Sequence, residues 1–203
     1  VATATFTDRL EAVGTALANE QVVLSAPVTE RITSINFADG EYVKNGQVIA
    51  TLAVGQEKAE LAAAEAQALQ ARQQLDRVQS LKTRGFATAS SLDQQLALAN
   101  AARASADQAR ASIGDRVIRA PFAGRVGISD VAPGMLISPG TAIVSLDDVS
   151  VIRVDFSVPD RYLTSMREGL PISARPDALP GETFAGRIAQ IDTRIDPTTR
   201  AVK

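Results

Sequence analysis

The chain has 203 residues, 45% of them hydrophobic but only 4% aromatic, with 21 basic against 23 acidic side chains, a net charge of −2, no cysteine and no histidine. The slight negative charge provides no basic field for a phosphate backbone, which argues against nucleic acid as a partner. Without thiols there are no disulfides or thiolate metal sites, and without imidazoles the chain lacks the commonest general base and the commonest metal ligand.

In chain order, the N-terminal segment "TATFTDRLEAVGTALANEQVVLSAP", residues 3–27, is read as strand that pairs beside the chain's own tail. Residues 26–52, "APVTERITSINFADGEYVKNGQVIATL", form the first copy of a duplicated unit, for residues 120–146, "APFAGRVGISDVAPGMLISPGTAIVSL", repeat it at a constant offset of 94 without a gap. Gly40 and Gly46 in the first copy match Gly134 and Gly140 in the second, each in a turn dipeptide where glycine supplies a positive φ. Each copy therefore reads as strand, turn, short strand, turn, strand. The matched apolar positions Ile32 and Val126, Phe37 and Val131, Val43 and Ile137, and Ile49 and Ile143 give each copy one apolar face. Neither copy can cover that face alone, so the two are expected to close into a small β sandwich.

Between the copies, from Ala53 to Arg119, glycine and proline nearly vanish and Ala, Gln, Leu, Arg and Glu dominate. Leu61, Ala64, Ala68, Ala71, Leu75 and Val78 keep the 3-4 spacing of a heptad seam, and Leu92, Gln95, Ala99, Ala102, Ala106, Ala109 and Ile113 keep it again. Gly85 falls where a C-cap belongs, and Thr88, Ser90 and Ser91 are possible N-caps, so "KTRGFATASS" reads as the turn of a helical hairpin. At 1.5 Å per residue each arm reaches on the order of 40 Å. From periodicity alone the hairpin is equally a reaching arm or a structural rod.

After Leu146, Val151, Val154, Phe156 and Val158 predict a strand, "PDRYLTSMREG" a short helix begun at Pro159 and ended at Gly169, and the regions of Ile172 and Gly186–Ile191 further strands. These strands and the N-terminal segment are expected to build a second, barrel-like domain. Both ends, "VATAT" and "TTRAVK", read as strand, which is expected of a piece of a longer protein. Asp147 and Asp148 are expected in a solvated turn at a strand end, and Met135 and Met166 in core or surface positions. No serine or lysine stands in an activating motif and no glycine-rich turn has the phosphate-loop pattern, so the expectation is a protein with no catalytic residues, no cofactor and no metal site.

The split repeat, the Ala-rich hairpin and the tail "VDFSVPDRYLTSMREG…IDTRIDPTTRAV" resemble, over essentially the whole chain, the HlyD-like periplasmic adaptor subunits, or membrane fusion proteins, of resistance-nodulation-division (RND) efflux pumps. The resemblance implies a mixed α and β, elongated fold. It comprises a lipoyl-like β sandwich (barrel-sandwich hybrid; residues 25–52 and 120–146) split by an antiparallel coiled-coil hairpin (residues 53–119), plus an incomplete β-barrel domain (residues 1–24 and 147–203). It implies a non-enzymatic adaptor that links an inner-membrane RND transporter to a TolC-type outer-membrane channel for export of drugs or other small toxic compounds. Self-association into a ring, hexameric in the family, is implied too, as is a periplasmic location with an inner-membrane anchor outside this chain.

The family's docking pattern at the hairpin tip falls on Arg77, Leu81, Thr88 and Asp93, with threonine where the family has serine. Without the resemblance, Arg77 reads as solvated, Leu81 as a widening of the seam, and Thr88 and Asp93 as caps of the second helix. Two departures stand out. Glu30 occupies the place of the glycine that the second copy keeps as Gly124, and the hairpin fills the turn where a lipoyl or biotinyl carrier would present its lysine. The alternatives are an adaptor for an ABC transporter or a type I secretion system, a coiled-coil scaffold, and a carrier domain. Hinges are expected near Ala53, Arg119 and Asp147.

Overall fold

A computed structural model describes residues 10–194, 196 and 200–202. The strand reading of "VATAT" lies outside the described residues, as do Thr198, Thr199 and Lys203 of "TTRAVK". The elements are β1 (Gly14–Ser25), β2 (Glu30–Ile35), β3 (Tyr42–Val43), β4 (Val48–Leu52), α1 (Gly55–Thr83), α2 (Ala89–Gly114), β5 (Val117–Arg119), β6 (Gly124–Val126), β7 (Leu136–Ile137), β8 (Ala142–Phe156), β9 (Val158–Pro159), β10 (Pro171–Ala174), β11 (Phe184–Arg187) and β12 (Ala201–Val202), with a 3₁₀ turn over Asp160–Ser165. They fall into two compact units, Glu20–Ser150 and Val1–Asn19 with Val151–Lys203, dividing inside β1 and β8.

In the first unit the repeats do more than face one another. One sheet has the order β1-β8-β6-β3 and the other β5-β4-β2-β7, so each copy lends its short middle strand to the sheet of its partner. Tyr42 and Val43 of the first copy pair with Arg125 and Gly124 of the second, and Leu136 and Ile137 of the second pair with Arg31 and Glu30 of the first. The hydrogen bonds obey the same pseudo-twofold. Ala26 N–H donates to Thr141 O at 3.0 Å and Ala120 N–H to Gln47 O at 3.0 Å; Gly46 N–H donates to Ala120 O at 2.8 Å and Gly140 N–H to Ala26 O at 2.9 Å. Arg31 Nη1 donates to Gly134 O in the other copy's turn, and Arg125 Nη1 to Gly40 O at 2.7 Å. Gly40, Gly46, Gly134 and Gly140 all hold positive φ, between 75° and 90°. A Cβ at such an angle would crowd its own carbonyl, so these four turns need glycine for their backbone.

The core follows directly from the matched apolar positions. Ala26, Ile32, Val43, Ile49 and Leu52 are buried together with their counterparts Ala120, Val126, Ile137, Ile143 and Leu146. At about 1.5–3 kcal/mol for each large aliphatic side chain removed from water, these pairs dominate the stability of the sandwich. Phe37 and Phe122 pack at its margin, and the core itself is aliphatic.

The Glu30 departure has a steric cause. A Cβ on Gly124 would lie 2.6 Å from Asp147 O, because β8 runs on beside β6 past Leu146. In the first copy β4 ends at Leu52 and the chain enters α1 at Gly55, and the Oε1 of Glu30 accepts from Arg31 N–H at 3.0 Å. The same continuation corrects the reading of Asp147 and Asp148. They lie inside β8 and not in a solvated turn, and the Oδ1 of Asp147 is buried without a hydrogen-bond partner.

The unit of Val1–Asn19 with Val151–Lys203 holds two antiparallel pairs, β10 with β11 in register Ile172 to Gly186, and β9 with β12 in register Val158 to Val202. Val158, Ile188 and Val202 are its buried apolar side chains among the described residues. Gly14 lets β1 run close to β8, where a Cβ would meet Val154 Cγ1 at 2.9 Å. The helix expected from Pro159 to Gly169 is shorter. It is 3₁₀ only to Ser165, and Met166 is already extended. Thr164 and Ser165 compete locally for the backbone and favour such an early end.

Candidate docking site at the hairpin tip

α1 and α2 pack along the two series of seam positions. In α1 the side chains withdrawn from solvent are Leu61, Ala64, Ala68, Ala71, Leu75 and Val78, together with Glu57; in α2 they are Leu92, Gln95, Ala99, Ala102, Ala106, Ala109 and Ile113, with Ser91 and Ser112 beside them. All other residues of both helices are exposed. Alanines at Ala64, Ala68, Ala71, Ala99, Ala102, Ala106 and Ala109 let the helix axes approach closely. Arg110 Nη2 donates to Glu65 Oε1 across the pair at 2.7 Å and to Asp107 within its own helix through Nη1 at 3.0 Å. The Glu65 hydrogen bond and charge raise the pKa of Arg110 above the ordinary guanidinium value. Both side chains are about half exposed, so the pair adds little stability.

At the root, Glu57 and Arg116 form a buried ion pair, Oε1 to Nη2 2.6 Å, with side chains only 11% and 14% exposed. Arg116 Nη1 donates to Ser112 O, Leu52 N–H to Arg116 O at 2.9 Å, Ala53 N–H to Arg31 O at 2.8 Å, and Arg119 Nη1 to Gly46 O at 3.0 Å. The crossings expected to be hinges near Ala53 and Arg119 are therefore bonded into the sandwich. A cavity of about 360 Å³ opens here, lined by Thr33, Thr51, Leu52, Val54, Lys58, Ile113 and Val117. Its polar groups are two hydroxyls and one ammonium, which do not make an acid and base pair. Among the described residues no three acidic side chains converge to hold a metal ion, and no helix is long and apolar enough to cross a membrane.

At the other end, α1 stops at Thr83 because Gly85 takes φ 80°. Gly85 N–H donates to Lys82 O at 3.0 Å and Phe86 N–H to Leu81 O at 2.9 Å, the paired bonds of a Schellman C-cap. α2 starts at once, with Thr88 as N-cap; its Oγ1 accepts from Ser91 N–H at 3.1 Å. The tip is thus a turn of about five residues with both helix ends satisfied.

Arg77, Leu81, Thr88 and Asp93 are all exposed and all lie in the tip half of the hairpin. Arg77 and Leu81, one turn apart, share a flank of α1 away from the Leu75 and Val78 seam. Thr88 has a structural duty as the cap, whereas Asp93 makes no capping bond. Among the described residues neither Arg77 nor Asp93 forms an ion pair, so the geometry does not bind the four into one preassembled cluster. Sequence reasoning passed over Phe86, which stands 79% exposed at the turn. An aromatic directly after the C-cap glycine was the available signal.

Residues 152–203 match the family described as the CusB-like, β-barrel domain. The chain is 33% identical over 184 residues to an uncharacterized protein of Haemophilus influenzae, covering 91% of this chain and 48% of that protein. It is 28% identical over 216 residues to the multidrug resistance protein MdtA of Proteus mirabilis, covering 96% and 53% respectively. The chain spans about half the length of the curated relatives it matches. The crystal structure of a MacA–MexA chimeric protein containing the MexA α-hairpin domain of Pseudomonas aeruginosa has the same fold, with a TM-score of 0.80 at 20% identity over 93% of this chain and 68% of the other. With a duplicated sandwich interrupted by a helical hairpin and a CusB-like β-barrel segment after it, the chain resembles the membrane fusion, or periplasmic adaptor, proteins of RND-type pumps.

Proposed function

We propose that the protein bridges an inner-membrane RND transporter to a TolC-type outer-membrane channel and so assembles and seals a conduit through which drugs or other small toxic compounds leave the cell. The hairpin tip, through Arg77, Leu81, Thr88 and Asp93, meets the channel, and residues 147–203 with 1–24 belong to a β-barrel domain on the transporter side. Copies of the chain associate as a ring of six, in the periplasm, held at the inner membrane by an anchor beyond this sequence. No catalytic group or cofactor takes part.

The observation that carries this reading is the hairpin. Its root is fixed to the sandwich by a buried ion pair and main-chain bonds, its flanks are exposed, and it ends in a well-capped turn flanked by an exposed Leu81 and by Arg77, which has no ion pair among the described residues. The name of the Proteus relative, a multidrug resistance protein, supports the choice of cargo.

Because the chain has no cysteine, one engineered thiol tests the contact. Ser90→Cys places it at the tip without touching the Thr88 cap, and Ala111→Cys places it on an exposed site near the root. In cells with intact efflux, a short thiol-to-amine crosslinker is expected to join the tip variant, and not the root variant, to the outer-membrane channel. Equal crosslinking from both sites, or none from the tip, refutes the docking assignment.

A further inference from the structure

We propose that Phe86 is an apolar plug at the hairpin tip, and that its receptor is an apolar socket rimmed by carboxylates on the outer-membrane channel. This rests on the docking reading above and names the chemistry of the surface that is met. Phe86 is the most exposed of the described aromatic residues, whereas Phe37 and Phe122 pack against the core. In a Schellman turn the residue after the glycine often covers the helix residue five before it, here Leu81. Phe86 remains 79% exposed, so most of its ring is left over from any such contact. The backbone under it is nonetheless fixed by two hydrogen bonds and the positive φ of Gly85. With that backbone already ordered, docking has only the ring's own two side-chain torsions left to fix, which suits a binding anchor.

The charge around it gives the rim. Between Asp76 and Asp93 there are three cations, Arg77, Lys82 and Arg84, and no further carboxylate, in a chain whose net charge is −2. Elsewhere on the hairpin Arg103, Arg110 and the root residue Arg116 are neutralised by Asp107, Glu65 and Glu57, while Lys58 and Arg72 have no ion pair among the described residues. The tip cations have no ion pair among the described residues. Cations left unpaired around an apolar knob complement an acidic rim. They oppose contact with the same tip of another copy. A lipid surface fits less well, since interfacial insertion needs an extended apolar helix face and the exposed neighbours here include Gln79, Ser80 and Thr83.

The test uses the full-length protein in cells that carry the host's TolC-type channel with an epitope tag. A photoreactive benzoylphenylalanine is placed at Phe86 or, separately, at Leu81. Capture of the tagged channel from position 86 supports the plug. Capture from 81 but not from 86 overturns the plug and leaves the docking reading standing; capture from neither site, with efflux intact, overturns both. Adducts from 86 to lipid or to a second copy of the chain overturn the plug directly. With the probe at 81, Phe86→Ser is expected to lower channel capture at least about tenfold, a small hot-spot effect, and Phe86→Tyr to keep it. Arg84→Glu is expected to lower capture similarly. Unchanged capture in Phe86→Ser and Arg84→Glu, both of which retain the wild-type melting temperature, also overturns the proposal.

Discussion

Arg116→Met removes one member of the ion pair that fixes the hairpin root. The partner left behind, Glu57, has a side chain only 11% exposed, so the charge remains in a site that water hardly reaches. Breaking a buried pair from one side costs about 3–5 kcal/mol, and at roughly 2–4 °C per kcal/mol for a chain of this length the helical signal should melt on the order of 10 °C earlier. Glu57→Leu should cost a similar amount, because it strands Arg116, whose Nε already lacks a partner. The double variant replaces both charges with apolar groups of related volume and should recover to within about 1 kcal/mol of the parent. Thermal unfolding of the four proteins by far-UV circular dichroism completes the cycle. Single variants that lose less than about 1 kcal/mol each, with effects that simply add in the double, would refute the claim that this pair clamps the root.

The other predictions concern the repeat and the tip. Gly124→Ala should destabilise the sandwich by about 1–3 kcal/mol, since its Cβ would meet Asp147 O at 2.6 Å, whereas Glu30→Ala at the equivalent place should stay within about 0.5 kcal/mol in urea unfolding. Gly134→Ala, at φ 90°, should lose about 1–2 kcal/mol in the same measurement. Thr88→Ala should lower stability by about 0.5–2 kcal/mol and speed amide exchange in the first turn of α2, while Thr88→Ser should do neither. Arg77→Ala and Leu81→Ala should leave the melting temperature within about 2 °C of the parent yet abolish tip crosslinking to the channel.

What the sequence disclosed depended on periodicity. The gapless offset of 94 predicted the four glycine turns and the buried pairs such as Ile32 with Val126, because turn backbone and core burial are both local demands on residue type. The heptad series predicted the helix seam down to Gln95, since each arm has one partner and one stripe. The strand exchange was not legible. Tyr42–Val43 and Leu136–Ile137 read the same whichever sheet they join, and only three-dimensional pairing separates the options. Asp147 and Asp148 looked like a turn because a carboxylate pair is rare within a strand, and the requirement that β8 continue past the sandwich carries no local signature. At the candidate site, Arg77, Leu81, Thr88 and Asp93 came from family resemblance, and the geometry alone adds that Thr88 is already engaged as a cap. The Glu57–Arg116 pair joins residues on two separate arms, so no sequence spacing announces it.

Electron cryomicroscopy of the full-length adaptor purified together with its transporter and its channel tests the bridging role most directly. The account predicts a ring of adaptors whose turns at residues 84–88 abut the channel, with the β-barrel segment of residues 152–203 on the transporter side. Assemblies in which the channel is held by another part of the chain, with the hairpin turns facing open solvent, would contradict it.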